Sequence, residues 1–459
     1  MKVFLITAVW GPWHTDAFAR ATLPTLLAEG NLPAITQLHD CRYRIYTTAT
    51  SAKRLEELPA MACLRQLMPV ELIYLSSADT ISSDMHVAAW RAAAEDAAAV
   101  KAAVVAIHPD TPWTNGSFSF LGRALAEGFV AVVVPNIRVV SETFIPALER
   151  LRQGDIIPIS LSSGLATSLS LRHFHPLSAA MVPQIGYSAS ATEIYWAVPG
   201  LGLALRHASR PAIAAVPHLC PLDFEFYMHG FTNSELVLNV TNAEDMLMLS
   251  MAPLFKDFGL LEIGHAATPN LVGLWCAHPQ NDTPLNPWYA TKEMRLPLGG
   301  LTQDENWEKA KNAADDFMQR VIGSSDATKL VMALRNQGCE TAAQLIAFAL
   351  QETDFSLQLH SLHPNAPLVM LAPSEIAFEQ FGRLNIYRLL RPNNEKLLLA
   401  FVMSHFRIGT AATTEQMLHA SGINIRETVT TNRYTILVID RIIEEFSFIP
   451  VRGGAIVGH

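Results

Sequence analysis

At 459 residues the chain is too long for one typical core, and two or three domains are expected. Half of its residues are hydrophobic and 16% are charged, which excludes global disorder. A net charge of −9 with no basic run excludes nucleic acid as a main partner.

The apolar stretches at 129–134, 195–205 and 397–403 are too short for a membrane-spanning helix of ~20 residues. The start, Met1-Lys2 and then Trp10-Gly11-Pro12 after a short apolar run, does not read as a secretory signal. Five scattered cysteines (41, 63, 220, 276, 339) form no zinc spacing and read as buried thiols. A cytoplasmic protein is expected, with peripheral membrane contact left open.

In chain order, residues 2–9 form an unbroken β-branched and apolar run, a buried strand with a sharp exit at Trp10-Gly11-Pro12. Residues 15–27 read as a helix bent at Pro24. Strands follow at 43–47 and 70–75, an alanine-rich helix at 86–100, and a fully buried strand at 102–107. Alternation of this kind argues a mainly parallel sheet sandwiched by helices. Helices at 116–127, 142–153 and 161–173 and strands at 130–134, 194–198, 212–216 and 235–240 continue it, and 242–254 reads as a methionine-rich helix. A proline- and glycine-rich connection at 269–300 marks a change of character. Beyond it, helical patterns fill 304–321, 326–336, 341–350, 373–390, 394–406 and 414–421, and 434–445 fits a helix or a strand. The expectation is an α/β domain over 1–300 and a mostly α-helical domain over 301–459.

Ligands of such sheets sit beyond the carboxyl ends of the strands. After the first strand, Thr7-Ala8-Val9-Trp10-Gly11 offers free backbone groups to a base or sugar, and Trp10 is placed to cover it. On that reading, removing Trp10 weakens ligand binding and hardly touches stability. After the fourth strand, His108-Pro109-Asp110 leads into Thr114-Asn115-Gly116-Ser117; Asp110 is a hard oxygen ligand suited to Mg²⁺ or Mn²⁺, or a turn residue. Asp223 and Glu225, two apart, share a side if extended, and one can act as a general base. Gly200-Leu201-Gly202 follows a strand, but Leu205 stands where a dinucleotide fingerprint needs glycine, so a nicotinamide cofactor is disfavoured. No His-Glu-x-x-His, Gly-x-Ser-x-Gly or Walker lysine loop occurs.

The first strand with Trp10-Gly11, the second ending at Thr47-Thr48 and the strand-end Asp110 resemble the front half of a GT-A type glycosyltransferase. The stretches LITAVWG, LPTLLAEGNLPAI, YRIYTT and HPDTPWTNGSFSFLGRALAEG resemble an uncharacterised bacterial group of glycosyltransferase-like proteins, over about the first 270 residues. The resemblance implies a nucleotide-sugar donor bound by Thr7, Val9, Trp10, Gly11, Thr47, Thr48, Asp110 and Asn115, with Asp223 or Glu225 as the base toward a carbohydrate or protein acceptor. It implies Mn²⁺ or Mg²⁺ on an Asp-x-Asp motif, which here reads His108-Pro109-Asp110 and keeps only its last acid. That departure leaves a second reading: a catalytically degenerate binding or scaffold protein acting through its helical C-terminal part.

Overall fold

The structure, a computed structural model, describes residues 1–75, 84–152, 154, 156–176, 193–207, 212–220, 234–254, 268–277, 290–300, 304–362, 368–391, 393–430 and 434–443. Two compact units are present: Met1–Ala267 with Trp288–Ala314, and Thr268–Pro287 with Asp315–His459.

The strands of the first unit are β1 (Lys2–Val9), β2 (Asp40–Thr47), β3 (Val70–Tyr74), β4 (Ala103–Ala106), β5 (Ala131–Val133), β6 (Asn136–Val140), β7 (Glu193–Val198), β8 (Gly202–His207), β9 (Ala214–Ala215), β10 (Val237–Asn239), β11 (Met248–Ala252) and β12 (Met294–Pro297). Seven build the main sheet in the order β10-β5-β9-β4-β1-β2-β3. All pairs are parallel except those of β9, which runs against β4 and β5. Both faces are covered, so β1 is buried from Val3 to Val9 and β4 along its whole length. This is why both read as continuous apolar runs. The expected α/β class is observed: a Rossmann-like, mainly parallel sheet with helices, then a largely helical C-terminal region.

The connectivity of the sheet positions the site. The chain steps from β1 to β2 to β3 on one side, then returns to place β4 on the other side of β1. The direction of winding therefore reverses between β1 and β4, and a doubly wound sheet opens a crevice at the carboxyl ends of such a pair.

Local details differ from expectation for physical reasons. The first helix (Gly11–Ala17) passes through a π turn (Phe18–Thr22) before Leu23–Leu26. Pro24 has no N–H to donate, and the wide turn precedes it. The expected methionine-rich helix at 242–254 is instead strand β11, paired in parallel with β6 from Met248↔Asn136 to Ala252↔Val140. Tertiary pairing there overrides the helix propensity of methionine. The irregular connection at 269–300 contains a helix, Pro269–Ala277, and strand β12, which pairs with β8. Gly200 and Gly202 form the tight turn of the β7–β8 hairpin, with φ of 73° and 143° and a Leu201 N–H bond to the Val198 carbonyl of 2.9 Å. They belong to a hairpin and not to a dinucleotide loop.

In the second unit the helices Glu340–Glu352, Phe355–Leu362, Glu375–Phe381, Arg383–Leu389, Glu395–Met403 and Ala411–Ala420 accompany a sheet of its own. Its strands are β13 (Leu368–Pro373), β14 (Phe406–Ile408), β15 (Ile425–Thr430) and β16 (Tyr434–Ile439), ordered β14-β13-β16-β15. Side chains alternate between its faces. Leu368, Met370, Ala372, Ile436 and Val438 join a large core, whereas Val369, Leu371, Leu437 and Ile439 join a small one with Leu418 and Ile423. The helical patterns at 304–321 and 326–336 are one continuous helix, Glu305–Asn336.

All five cysteines are free, and burial pushes the Cys41 and Cys276 thiols up to about 12. Among the described residues no helix is long and apolar enough to cross a membrane.

Candidate functional site

At the carboxyl edge the two strands run side by side, Ile6 in register with Ala106, and the Ile107 N–H reaches the Ile6 carbonyl at 2.8 Å. Three segments converge there: the turn after β1, the loop after β4, and the first turns of helix Asp84–Ala99, which packs on both strands. Together they bring a cluster of indoles and imidazoles to one place. Trp10 lies 4.4 Å from His14 and 4.5 Å from His86, centroid to centroid. Trp90 stacks on His86 at 5.4 Å, and His108 meets both Trp90 (4.9 Å) and His86 (5.3 Å) edge-on. Trp13 closes on His14 at 4.7 Å.

His86 is the most perturbed member. Burial pushes its pKa down to about 2, helped by the charges of His108 and His14 and opposed by a hydrogen bond to the Ala8 carbonyl. The ring is therefore neutral. One nitrogen serves Ala8, and Nε2 is buried without a hydrogen-bond partner. A neutral imidazole with one nitrogen donating presents the other as an acceptor. The interior of the cluster thus holds an unused acceptor, His86 Nε2.

The sign of the pH response follows. Unfolded His86 takes up a proton below its ordinary pKa of about 6.5, and the folded ring does not until far lower, so its contribution to stability is lost as pH falls. Going from about pH 7 to about pH 5 should lower the melting temperature of the wild type more than that of His86→Asn. Equal shifts in a thermal melt would show that His86 titrates freely. His405 of the second unit, buried and held down to about 4, contributes with the same sign in both proteins.

The residues singled out in the sequence take distinct places. Thr7 is buried, its hydroxyl 2.7 Å from that of Tyr43. The Val9 carbonyl accepts from the Thr47 hydroxyl at 2.7 Å, which ties the ends of β1 and β2. Thr48 caps helix Ala49–Glu56 by accepting from the Ser51 N–H at 3.2 Å. Trp10 is 6% exposed. Gly11 has a φ of 67°, a left-handed conformation that suits glycine. Asn115 braces two loops, its side-chain oxygen accepting from the Gly30 N–H at 2.8 Å. A Cβ on Gly30 would come within 2.6 Å of the Gly116 nitrogen, so the approach needs glycine. Asp223 and Glu225 lie outside the described residues.

Asp110 sits in a pinned loop. The Pro109 carbonyl accepts from the Thr22 hydroxyl at 2.8 Å, and the Asp110 carbonyl from the Met251 N–H of β11 at 2.9 Å. The residue keeps part of its surface in solvent but is ringed by protein. Burial pushes its carboxyl up to about 6, against a hydrogen bond from its own backbone and the positive charge of Arg138 on β6. Among the described residues no group of three or more His, Cys, Asp or Glu side chains can hold a metal ion. One carboxylate beside an arginine is a poor resident site for Mn²⁺ or Mg²⁺, which favour several oxygen ligands.

His14, His86, Trp90 and Arg138 were not anticipated. The sequence held one signal: His86 and Trp90 are spaced i, i+4 and so share a face of helix Asp84–Ala99.

No family model matches the chain, and no curated protein matches it. Among solved structures it is similar to TarS of S. aureus, with a TM-score of 0.22 and 11% identity over 30% of this chain and 22% of that one. TarS residues 1–349 give a TM-score of 0.27 and 8% identity over 95% and 96%. The apo form of mouse xyloside xylosyltransferase 1 gives 0.21 and 16% over 35% and 63%. In the first and last of these, the match spans less than two thirds of the other chain. At TM-scores of this size the likeness decides neither fold nor function.

Proposed function

We propose that this chain transfers a sugar from a nucleotide-sugar donor to a carbohydrate or protein acceptor, with the donor in the crevice between the ends of β1 and β4. The observation that carries the reading is the convergence, at the carboxyl ends of β1 and β4, of the turn after β1, the loop holding Asp110 and the first turns of helix Asp84–Ala99, with the buried Nε2 of neutral His86 left as an unused acceptor among them. The resemblance of residues 5–11 and 108–128 to glycosyltransferase-like proteins supports the sugar donor in particular. In this reading Thr7, Val9, Thr47 and Thr48 shape the backbone around Trp10 and Gly11, Asn115 braces the loop, and Asp110 accepts hydrogen bonds from sugar hydroxyls. Arg138 supplies positive charge toward the diphosphate. Asp223 or Glu225 keeps the role of base toward the acceptor, on its spacing alone. No step is assigned to a divalent ion.

A second reading, a binding protein that has lost the chemistry, is favoured by one observation. The Trp10 indole is buried against His14 and His86, and these side chains fill space a base would take.

The test is calorimetric titration with UDP-, GDP- and CDP-sugars, with and without Mn²⁺. The wild type should bind one of them, and Asp110→Asn should weaken that binding by about tenfold or more, the scale of a hydrogen bond to a charged group. Equal binding by both forms makes Asp110 a turn residue. A wild type that binds none under either condition leaves the binding-protein reading.

A further inference from the structure

The second unit carries a groove of 1010 Å³ beside the small core on one face of its four-stranded sheet. Its floor is apolar, with Leu371 of β13, Leu418 of helix Ala411–Ala420 and Ile423. Among the described residues its charge is not balanced: Arg407, Arg426 and Arg441 line it against one acid, Asp440. That acid is already engaged, accepting from the Asn424 side chain at 2.7 Å and lying 3.5 Å from Arg441.

The three guanidinium groups are held in different ways. Arg407, on β14 at one edge of the sheet, is half-buried and gives one Nη to the carbonyls of Ser404 (2.6 Å) and Phe406 (2.8 Å). Burial lowers its pKa, so an anion beside it would offset a desolvation cost. Arg441 follows β16 and donates to the Gly422 carbonyl at 2.7 Å. Arg426 lies on β15 at the opposite edge, where the register with β16 shifts between Ile425 and Glu427. A bulge re-aims the side chain it carries, and Arg426 lines the groove, exposed and with no ion pair among the described residues.

On a chain of net charge −9, three arginines against one acid among the described residues of the groove leave a surplus of positive charge, a local reversal of sign. Its volume is at the upper end of small-molecule sites, about 300–1,000 Å³. We propose that this groove binds an anionic amphipathic small molecule, its apolar body over Leu371, Leu418 and Ile423 and its anionic group held by Arg426 and Arg441, with Arg407 at the far edge. The inference does not depend on the crevice of the first unit.

The experiment is a fluorescence titration of the full chain with anilinonaphthalene sulfonate, an anionic apolar dye, against neutral phenylnaphthylamine. The sulfonate should bind saturably and lose affinity as salt rises. Arg426→Glu should weaken it by about tenfold or more while leaving the melting temperature and the neutral dye unchanged. Arg407→Gln provides an independent second loss at the other edge. Unchanged sulfonate affinity in both variants would overturn the proposal. So would a full chain that does not bind the dye until residues 444–459 are removed, since the groove would then belong to the chain's own terminus.

Discussion

Trp10→Ala should cost about 3–5 kcal/mol of stability, the scale of deleting a large aromatic side chain from a packed interior. The indole is 6% exposed and in ring contact with His14 and His86. This reverses the direction expected for a residue lying over a ligand, where removal would spare the fold. The loss is concentrated at the site because Trp10 also begins helix Gly11–Ala17, and its carbonyl meets His14 Nδ1 at 3.2 Å. Trp10→Phe should recover most of the stability, since an aromatic ring still fills the gap between the two imidazoles. Chemical denaturation of both variants measures this. An alanine variant as stable as the wild type, but weaker toward a nucleotide sugar, would show that the indole faces the ligand.

The second large effect is far from the crevice. Gly202→Ala should destabilise the first unit by roughly 3 kcal/mol or more, because two penalties coincide. The residue has a φ of 143°, and an added Cβ would run into the Leu296 carbonyl of β12. The β12 backbone is fixed by its pairing with β8, from Met294↔Leu205 to Pro297↔Gly202, and cannot move aside cheaply. Gly200→Ala, at a φ of 73° with nothing close to the added atom, should cost less. If the two variants melt together, the close approach of β8 and β12 is not what the hairpin glycine serves.

What was legible in the sequence follows from burial. β1 and β4 are covered on both faces, so their residues form unbroken apolar runs whose ends point to the crevice. β15 was not legible: Ile425–Thr430 is mostly solvent-facing and carries Arg426 and Glu427, so neither a continuous run nor a strict alternation survives. β11 is not legible as a strand because Met248, Leu249 and Met251 suit a helix, and only the long-range partner β6 makes them a strand. At the site, Trp10 and Asp110 were visible as strand-end residues. The contact of Trp10 with His86 was not, because His86, with Trp90 stacked on it, reaches Trp10 only when helix Asp84–Ala99 packs on β1 and β4. The burial that makes His86 a neutral acceptor is likewise a property of the assembled sheet and not of any local motif.

The most direct test of the account is photo-cross-linking with an azido-substituted nucleotide sugar, followed by peptide mapping. Labels should fall on the turn Trp10–His14, the helix start around His86–Trp90 and the loop His108–Asp110, and unlabelled donor should compete them away. Labelling confined to other segments, or labelling that excess donor does not reduce, would contradict a donor site at the β1–β4 crevice.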